Sequence, residues 1–193
     1  MRALILALAA AGALAASGPL HAQGVSMPPY PEINLAGFNG DASSLPKAVA
    51  AIEAASGGRV VEIRYNNVSG APGYDVVLER GAQVSFQRFT KPGGGMIALT
   101  GKTEPSWMLK WQARRDVSFV KQAKVSLAAA IRTAESSLPG PAVAAGIARS
   151  ASSITTDVHA YNVAILNGGR LHRVAIDSAT GLMIDDPNAL GGW

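Results

Sequence analysis

The sequence predicts an α+β protein made of two tandem modules, each an N-terminal helix packed on a four-stranded antiparallel sheet. Three observations predict it. A helix-forming segment occurs twice without a gap, the apolar period falls from near 3.6 to near 2 after each copy, and turn residues divide the remainder of each module into short strands.

The chain opens with Met1-Arg2 and then an apolar run from Ala3 to about Ala16. One positive charge before such a run is the layout of a secretory signal peptide. Ser17-Gly18-Pro19 breaks the helix, and Leu20-His21-Ala22 supplies a small residue before the cut. Residues 1–22 are therefore expected to be removed after Ala22, leaving a periplasmic or secreted protein. The competing reading, a membrane anchor, suffers because the run falls short of the roughly 20 residues a spanning helix needs. Charges, Gly or Pro interrupt every later apolar run, so no integral membrane protein is expected after cleavage.

The chain contains no cysteine. Lipid attachment through an N-terminal Cys, disulfides, thiolate catalysis and Cys-based zinc sites are thereby excluded. A hydrophobic fraction of 48% permits a core without such staples. The formal charge of +4 falls to +3 without Arg2, too small to imply a nucleic-acid partner. Residues 23–43, with Met27-Pro28-Pro29-Tyr30-Pro31, read as an extended arm that either runs free or docks on a sheet.

Ser44-Leu45-Pro46-Lys47-Ala48-Val49-Ala50-Ala51-Ile52-Glu53 and Ser126-Leu127-Ala128-Ala129-Ala130-Ile131-Arg132-Thr133-Ala134-Glu135 align at a constant offset. Each starts with a Ser able to accept from the free N–H groups of a first helical turn. Leu45, Ala48, Val49 and Ile52 in one, and Leu127, Ala130, Ile131, Ala134 and Leu138 in the other, form one apolar stripe. Gly57-Gly58 and Pro139-Gly140 end the two helices. Strands are expected at 59–66, 74–79, 84–89 and 96–100, then at 142–149, 154–166, 171–177 and 182–184. The modules span 44–101 and 125–186, separated by a connector at 102–124 and followed by a tail at 187–193.

Asn167-Gly168-Gly169-Arg170 fixes one register, since the two glycines can take the positive φ values of a two-residue hairpin turn. Tyr161, Val163, Ile165, Val174 and Ile176 then share one face with His172, ready to be covered by the helix. Asn162, Ala164, Arg173 and Asp177 share the other, which is expected to tolerate water.

The second module, from Lys124-Val125-Ser126-Leu127 through Tyr161-Asn162-Val163-Ala164-Ile165 to Val174-Ala175-Ile176-Asp177-Ser178-Ala179-Thr180-Gly181-Leu182-Met183-Ile184, resembles a PepSY domain. Asp177, Thr180 and Gly181 match the family's strand–turn–strand signature, and Tyr161 stands in its strand motif. The first module matches through Tyr74-Asp75-Val76-Val77-Leu78 but has Thr90-Lys91-Pro92-Gly93-Gly94-Gly95 in place of the Asp-to-Gly turn. The resemblance implies a binding role, with an inhibitory or chaperoning action toward secreted peptidases, and carries no catalytic residues.

Apparent chemistry elsewhere has simpler explanations. Gly95 to Thr103 superficially matches a phosphate loop, but Met96 stands where the first glycine belongs and Glu104-Pro105 is a poor helix start. His159 and His172 fall roughly 20 Å apart along the ladder, too far to share a metal, and His172 reads as a ring at the core margin rather than a catalytic base. Asp177, Asp185 and Asp186 lack the alternate spacing of a calcium loop. No cofactor, metal site or enzymatic activity is expected.

The connector is the exception. Its six basic residues against Glu104 and Asp116 give it a charge of +4, while the rest of the mature chain sums to −1. Trp107, Lys110, Trp111, Arg114 and Arg115 are the candidate binding residues, an aromatic and basic patch for an anionic surface or acidic partner. The plainer reading is that the tryptophans pin the connector to the modules while the charges are solvated. A helix and an extended strand both place Trp107 and Trp111 on one side. The leading expectation is a non-enzymatic binding module of the cell envelope that recognises an envelope protein or peptidase through a sheet edge. The alternative is a sensor or adaptor for a small ligand or anionic surface, using the inter-module cleft and the connector.

Overall fold

The computed structural model describes residues 34–38, 44–68, 70–90, 97–105, 111–147 and 160–185. The expected signal peptide, the tail at 187–193, His159, Trp107 and Lys110 lie outside them. The described chain is α+β, with three helices and one large antiparallel sheet.

The helix α1, Leu45–Ser56, buries Leu45, Ala48, Val49 and Ile52, the predicted stripe. Its N-terminus departs from expectation, because the Ser44 side chain makes no capping bond. Pro46 stands at the second helical position and has no N–H, so one of the donors a cap serves is missing. At the other end Gly57 takes φ 66° and donates to the Glu53 carbonyl at 2.9 Å. The strands β1 (Arg59–Val68), β2 (Ala71–Arg80), β3 (Gln83–Thr90) and β4 (Ile97–Pro105) follow as a meander. The last of these passes the expected module end at 101 by four residues.

The helix α2, Trp111–Gln122, settles the connector as helical there. The helix α3, Leu127–Ser137, is capped as predicted, with Ser126 Oγ accepting from the Ala129 N–H at 3.2 Å. The strands β5 (Ala142–Ile147), β6 (Ala160–Asn167), β7 (Arg170–Asp177) and β8 (Met183–Ile184) complete the described chain. The Asn167–Arg170 hairpin has the predicted register, and Gly168 and Gly169 take φ 56° and 75°.

One hydrogen bond recurs in both halves at the same spacing. Glu53 Oε1 accepts from the Val60 N–H, and Glu135 Oε1 from the Ala142 N–H, each at 3.0 Å. A carboxylate late in each helix thus fixes where the following strand begins.

The two runs of four strands are not separate sheets. They form one sheet in the order β4-β3-β2-β1-β5-β6-β7-β8, joined where Ile63 pairs Ala145 and Arg64 pairs Ala144. Each run begins with a strand having an open edge, and pairing those edges satisfies backbone groups that would otherwise need another partner. The helices α1 and α3 pack against each other on one face, and a single apolar cluster draws on both halves.

Two details of that packing differ from expectation. His172 is exposed rather than at the core margin, since it pairs Ile165 near the hairpin turn. On the face away from α1 and α3, expected to be wet, Ala160, Asn162 and Ala175 are fully buried. The arm is docked where it is described. The Asn34 N–H donates to Asn66 Oδ1, the Asn67 N–H to the Asn34 carbonyl, and the Tyr65 hydroxyl to the Ala36 carbonyl. Phe38 meets Tyr65 edge-on at 4.9 Å.

Candidate functional site

Four candidate motif residues converge on the start of α3. Asp177 Oδ1 accepts from the Ala179 N–H, the Thr180 N–H and the Thr180 hydroxyl at 2.7–2.9 Å. Gly181 takes φ 75°, its N–H bonds the Asp177 carbonyl, and its Cα side faces Val125. The buried Tyr161 donates its hydroxyl to the Val125 carbonyl at 2.9 Å. Burial pushes the Tyr161 phenol up to about 12; nearby Arg59 opposes the shift and Glu53 adds to it. The Ser178 carbonyl accepts from the Lys124 and Val125 N–H groups. These contacts set the helix entry.

The connector candidates separate. Trp111, Arg114 and Arg115 lie on the first half of α2 at i, i+3 and i+4, on one side of the helix. Val117, Phe119 and Val120, in its second half, are buried. The Phe119 ring meets Tyr161 edge-on at 5.6 Å. Lys121 Nζ lies 3.1 Å from the Glu79 carboxylate and 2.9 Å from the Gly81 carbonyl, which it bonds. One turn of α2 therefore touches β6 of one half and the β2–β3 hairpin of the other.

The inward polar groups of the opposite face differ between the halves. Asp75 is held by Asn66 Nδ2 at 2.7 Å and Arg88 Nη1 at 2.8 Å. Asn162 follows Tyr161 as Asp75 follows Tyr74, but its cross-strand neighbours are Gly146 and Ala175. It is 1% exposed, and neither amide atom has a hydrogen-bond partner among the described residues. The Glu62 stem fills the space over Gly146, where a β-carbon would meet Glu62 Cγ at 2.7 Å.

Two features face outward. Beyond the end of α1, strands β2 to β4 border a cleft of about 440 Å³ lined by Leu78, Arg80, Gln83, Gln87, Phe89 and Ile97, among others. The second is the β7 edge. β8 pairs only Ala175 and Ile176 of the eight residues of β7, and Leu171, Leu182 and Met183 there are 38%, 68% and 46% exposed. Asp177 sends its N–H outward to the Leu182 carbonyl at 2.9 Å. By the two-residue alternation of an antiparallel ladder, Ala175, Arg173 and Leu171 direct their backbone groups the same way. Among the described residues, no strand of the sheet lies beside Leu171 on that side.

No single residue of the sequence announces this edge, although a three-residue final strand expected beside a seven-residue one was its signal. Among the described residues, no three His, Cys, Asp or Glu side chains are grouped to hold a metal, and no helix is long and apolar enough to cross a membrane.

No family model matches the chain, and no curated protein matches it. Among solved structures, the crystal structure of a "putative lipoprotein" from Clostridium difficile 630 is similar, with 15% sequence identity and a TM-score of 0.44. The match covers 74% of this chain and 90% of that one.

Proposed function

We propose that the protein is a non-enzymatic, exported binding module of the cell envelope that takes an extended segment of a partner protein along the open edge of β7. Its two halves are copies of one PepSY-like unit, helix then four strands, and the partner is a secreted peptidase that it restrains or helps to fold. The observation that carries the reading is the mismatch between β7 and β8: outward backbone groups at Leu171 beside exposed apolar side chains form a template for strand addition. Support for the duplication comes from the paired Glu53–Val60 and Glu135–Ala142 bonds. The apolar leader supports export.

A second reading, an adaptor for an anionic envelope surface, is favoured by the common side of α2 that Trp111, Arg114 and Arg115 occupy.

The two readings separate experimentally. Leu171→Pro removes an outward N–H while sparing the ladder to β6, because proline is tolerated where the lost donor faces away from the sheet. On the edge reading, this variant fails to retain envelope proteins that the parent captures, and it still binds anionic vesicles if the parent does. A variant changed at Trp111, Arg114 and Arg115 that loses vesicle binding and keeps protein capture assigns a surface role to the connector. Undiminished capture by Leu171→Pro overturns the edge reading.

A further inference from the structure

We propose that the cleft beside the end of α1 is a second binding site and that it takes a neutral saccharide. It lies toward the opposite edge of the sheet from β7 and does not depend on the edge reading.

The two halves are roofed unequally. Helix α3 packs against all four strands of its half, whereas α1 packs against β1 and, across the seam, β5. The α1-side face of β3 and β4 is left open, with Gln83, Ala98 and Thr103 exposed. Alternation along β3 puts Gln83, Ser85, Gln87 and Phe89 on that face, across from Arg80, Leu78, Val76 and Tyr74 of β2. On β4 the same face carries Thr103, Gly101 and Ala98.

Gln87 is out of place for a core face. In the β6–β7 hairpin the fourth residue after the closing Arg170 is the buried Val174; in the β2–β3 hairpin the fourth residue after the closing Gln83 is Gln87. A core position of one half is thus an amide in the other. Gly101 makes room for it, since a β-carbon there would meet Gln87 Cγ at 2.8 Å.

Arg80, Gln83, Ser85, Gln87 and Thr103 line the cleft, and none of their side chains bonds to another described residue. Ser85 is only 6% exposed, and a buried hydroxyl without a partner is costly unless a ligand or water serves it. On the other face of these strands, by contrast, Asp75, Asn66 and Arg88 are bonded to one another.

Hydroxyls and amides both donate and accept, which suits a ligand whose own groups do both, as sugar hydroxyls do. Leu78, Phe89 and Ile97 supply apolar contact for the C–H face of a ring. Among the described residues that line the cleft there is no carboxylate, and Arg80 is the one cation. The carbonyl end of α1, at Ala55 and Ser56, borders the cleft too and carries a partial negative charge that offsets the guanidinium. The balance favours an uncharged ligand, and about 440 Å³ falls within the range of small-molecule sites.

Calorimetric titration of the purified protein with maltotriose, tri-N-acetylchitotriose and the acidic trigalacturonate tests the site. At least one neutral trisaccharide is expected to bind, more tightly than trigalacturonate and with an affinity that added salt leaves unchanged. Gln87→Ala removes an uncharged hydrogen-bonding group and is expected to weaken binding about tenfold. Ala98→Trp fills the cleft from its exposed rim and is expected to abolish binding, both variants keeping the circular dichroism spectrum of the parent. Preference for trigalacturonate that fades with salt overturns the neutral ligand. Tighter binding of an uncharged Ser-Gly octapeptide, lost in Ala98→Trp, overturns the saccharide in favour of a peptide. Failure of both neutral trisaccharides to bind, or binding that neither variant alters, overturns the site.

Discussion

Glu135 accepts a hydrogen bond from the Ala142 N–H at 3.0 Å, seven residues ahead of it, and so ties the last turn of α3 to the first residue of β5. The loop between them contains Gly140 at φ 132°, packed so closely that a β-carbon would lie 2.4 Å from the Leu166 carbonyl oxygen. Bond and loop hold one geometry together: the carboxylate sets the loop's length, and the missing side chain lets it lie against β6.

Removing that carboxylate is expected to be costly. Glu135→Ala leaves the Ala142 amide without its partner, and a hydrogen bond to a charged group contributes about 1.5–3 kcal/mol. Glu53→Ala is expected to cost a similar amount through Val60. Urea unfolding of both single variants checks this. Gly140→Ala adds steric overlap to an unfavourable φ and is expected to lose about 2 kcal/mol or more.

Tyr161 gives the protein an alkaline weakness. Its folded pKa, about 12, lies above the ordinary value of 10.0. Between those values the unfolded chain releases the phenolic proton while the folded one keeps it, so stability present below pH 10 declines as pH rises toward 12. Tyr161→Phe removes this decline. It also leaves the Val125 carbonyl unbonded, at about 1 kcal/mol near neutrality. Unfolding midpoints of the two proteins from pH 8 to 11.5 should therefore converge.

Asp75 and Asn162 are expected to respond oppositely to truncation. Asp75→Ala strands Arg88 in a largely buried setting and should cost about 3–5 kcal/mol. Asn162→Ala deletes an amide whose burial without partners itself costs about 1–3 kcal/mol; the small space it leaves offsets part of the gain. Asn162→Ala is therefore expected to be neutral or to raise the melting temperature, and calorimetry of the pair decides it.

Phe119 anchors α2 against Tyr161, and Phe119→Ala should lose about 3–5 kcal/mol, the usual range for a buried aromatic cut to alanine. If α2 bridges the halves as its contacts indicate, this variant also loses amide-exchange protection in the β2–β3 hairpin, which Lys121 holds through Glu79 and Gly81.

Local chemistry was legible in the sequence to the extent that it was carried by spacing. The stripes of Leu45 to Ile52 and Leu127 to Ala134 declared their helices, and Gly168-Gly169 declared a hairpin whose register buries Tyr161, Val163 and Val174. The joining of the two runs was not legible, because the seam is made by two backbone pairs whose side chains, Ile63 with Ala145 and Arg64 with Ala144, announce nothing as a motif. The same reason hid the dry opposite face: Asn162 is polar by type, and only its neighbours in three dimensions bury it. At Ser44 the capping rule was overridden by a proline two positions later. The edge at Leu171 depends on where β8 stops, a boundary that periodicity resolves poorly over a strand of two residues.

The seam also predicts how the protein would behave if divided. A fragment ending before α2 would carry β1 as a bare outer strand with one side of α1 stripped of its neighbour, and a fragment beginning at α3 would carry β5 in the same condition. Each would be expected to seek a twin and reassemble a symmetric counterpart of the intact molecule, measurable as a dimer in sedimentation. Mixing the two would favour the hetero-pair, since Ile63 and Ala145 are shaped for one another and two copies of Ile63 crowd the same space.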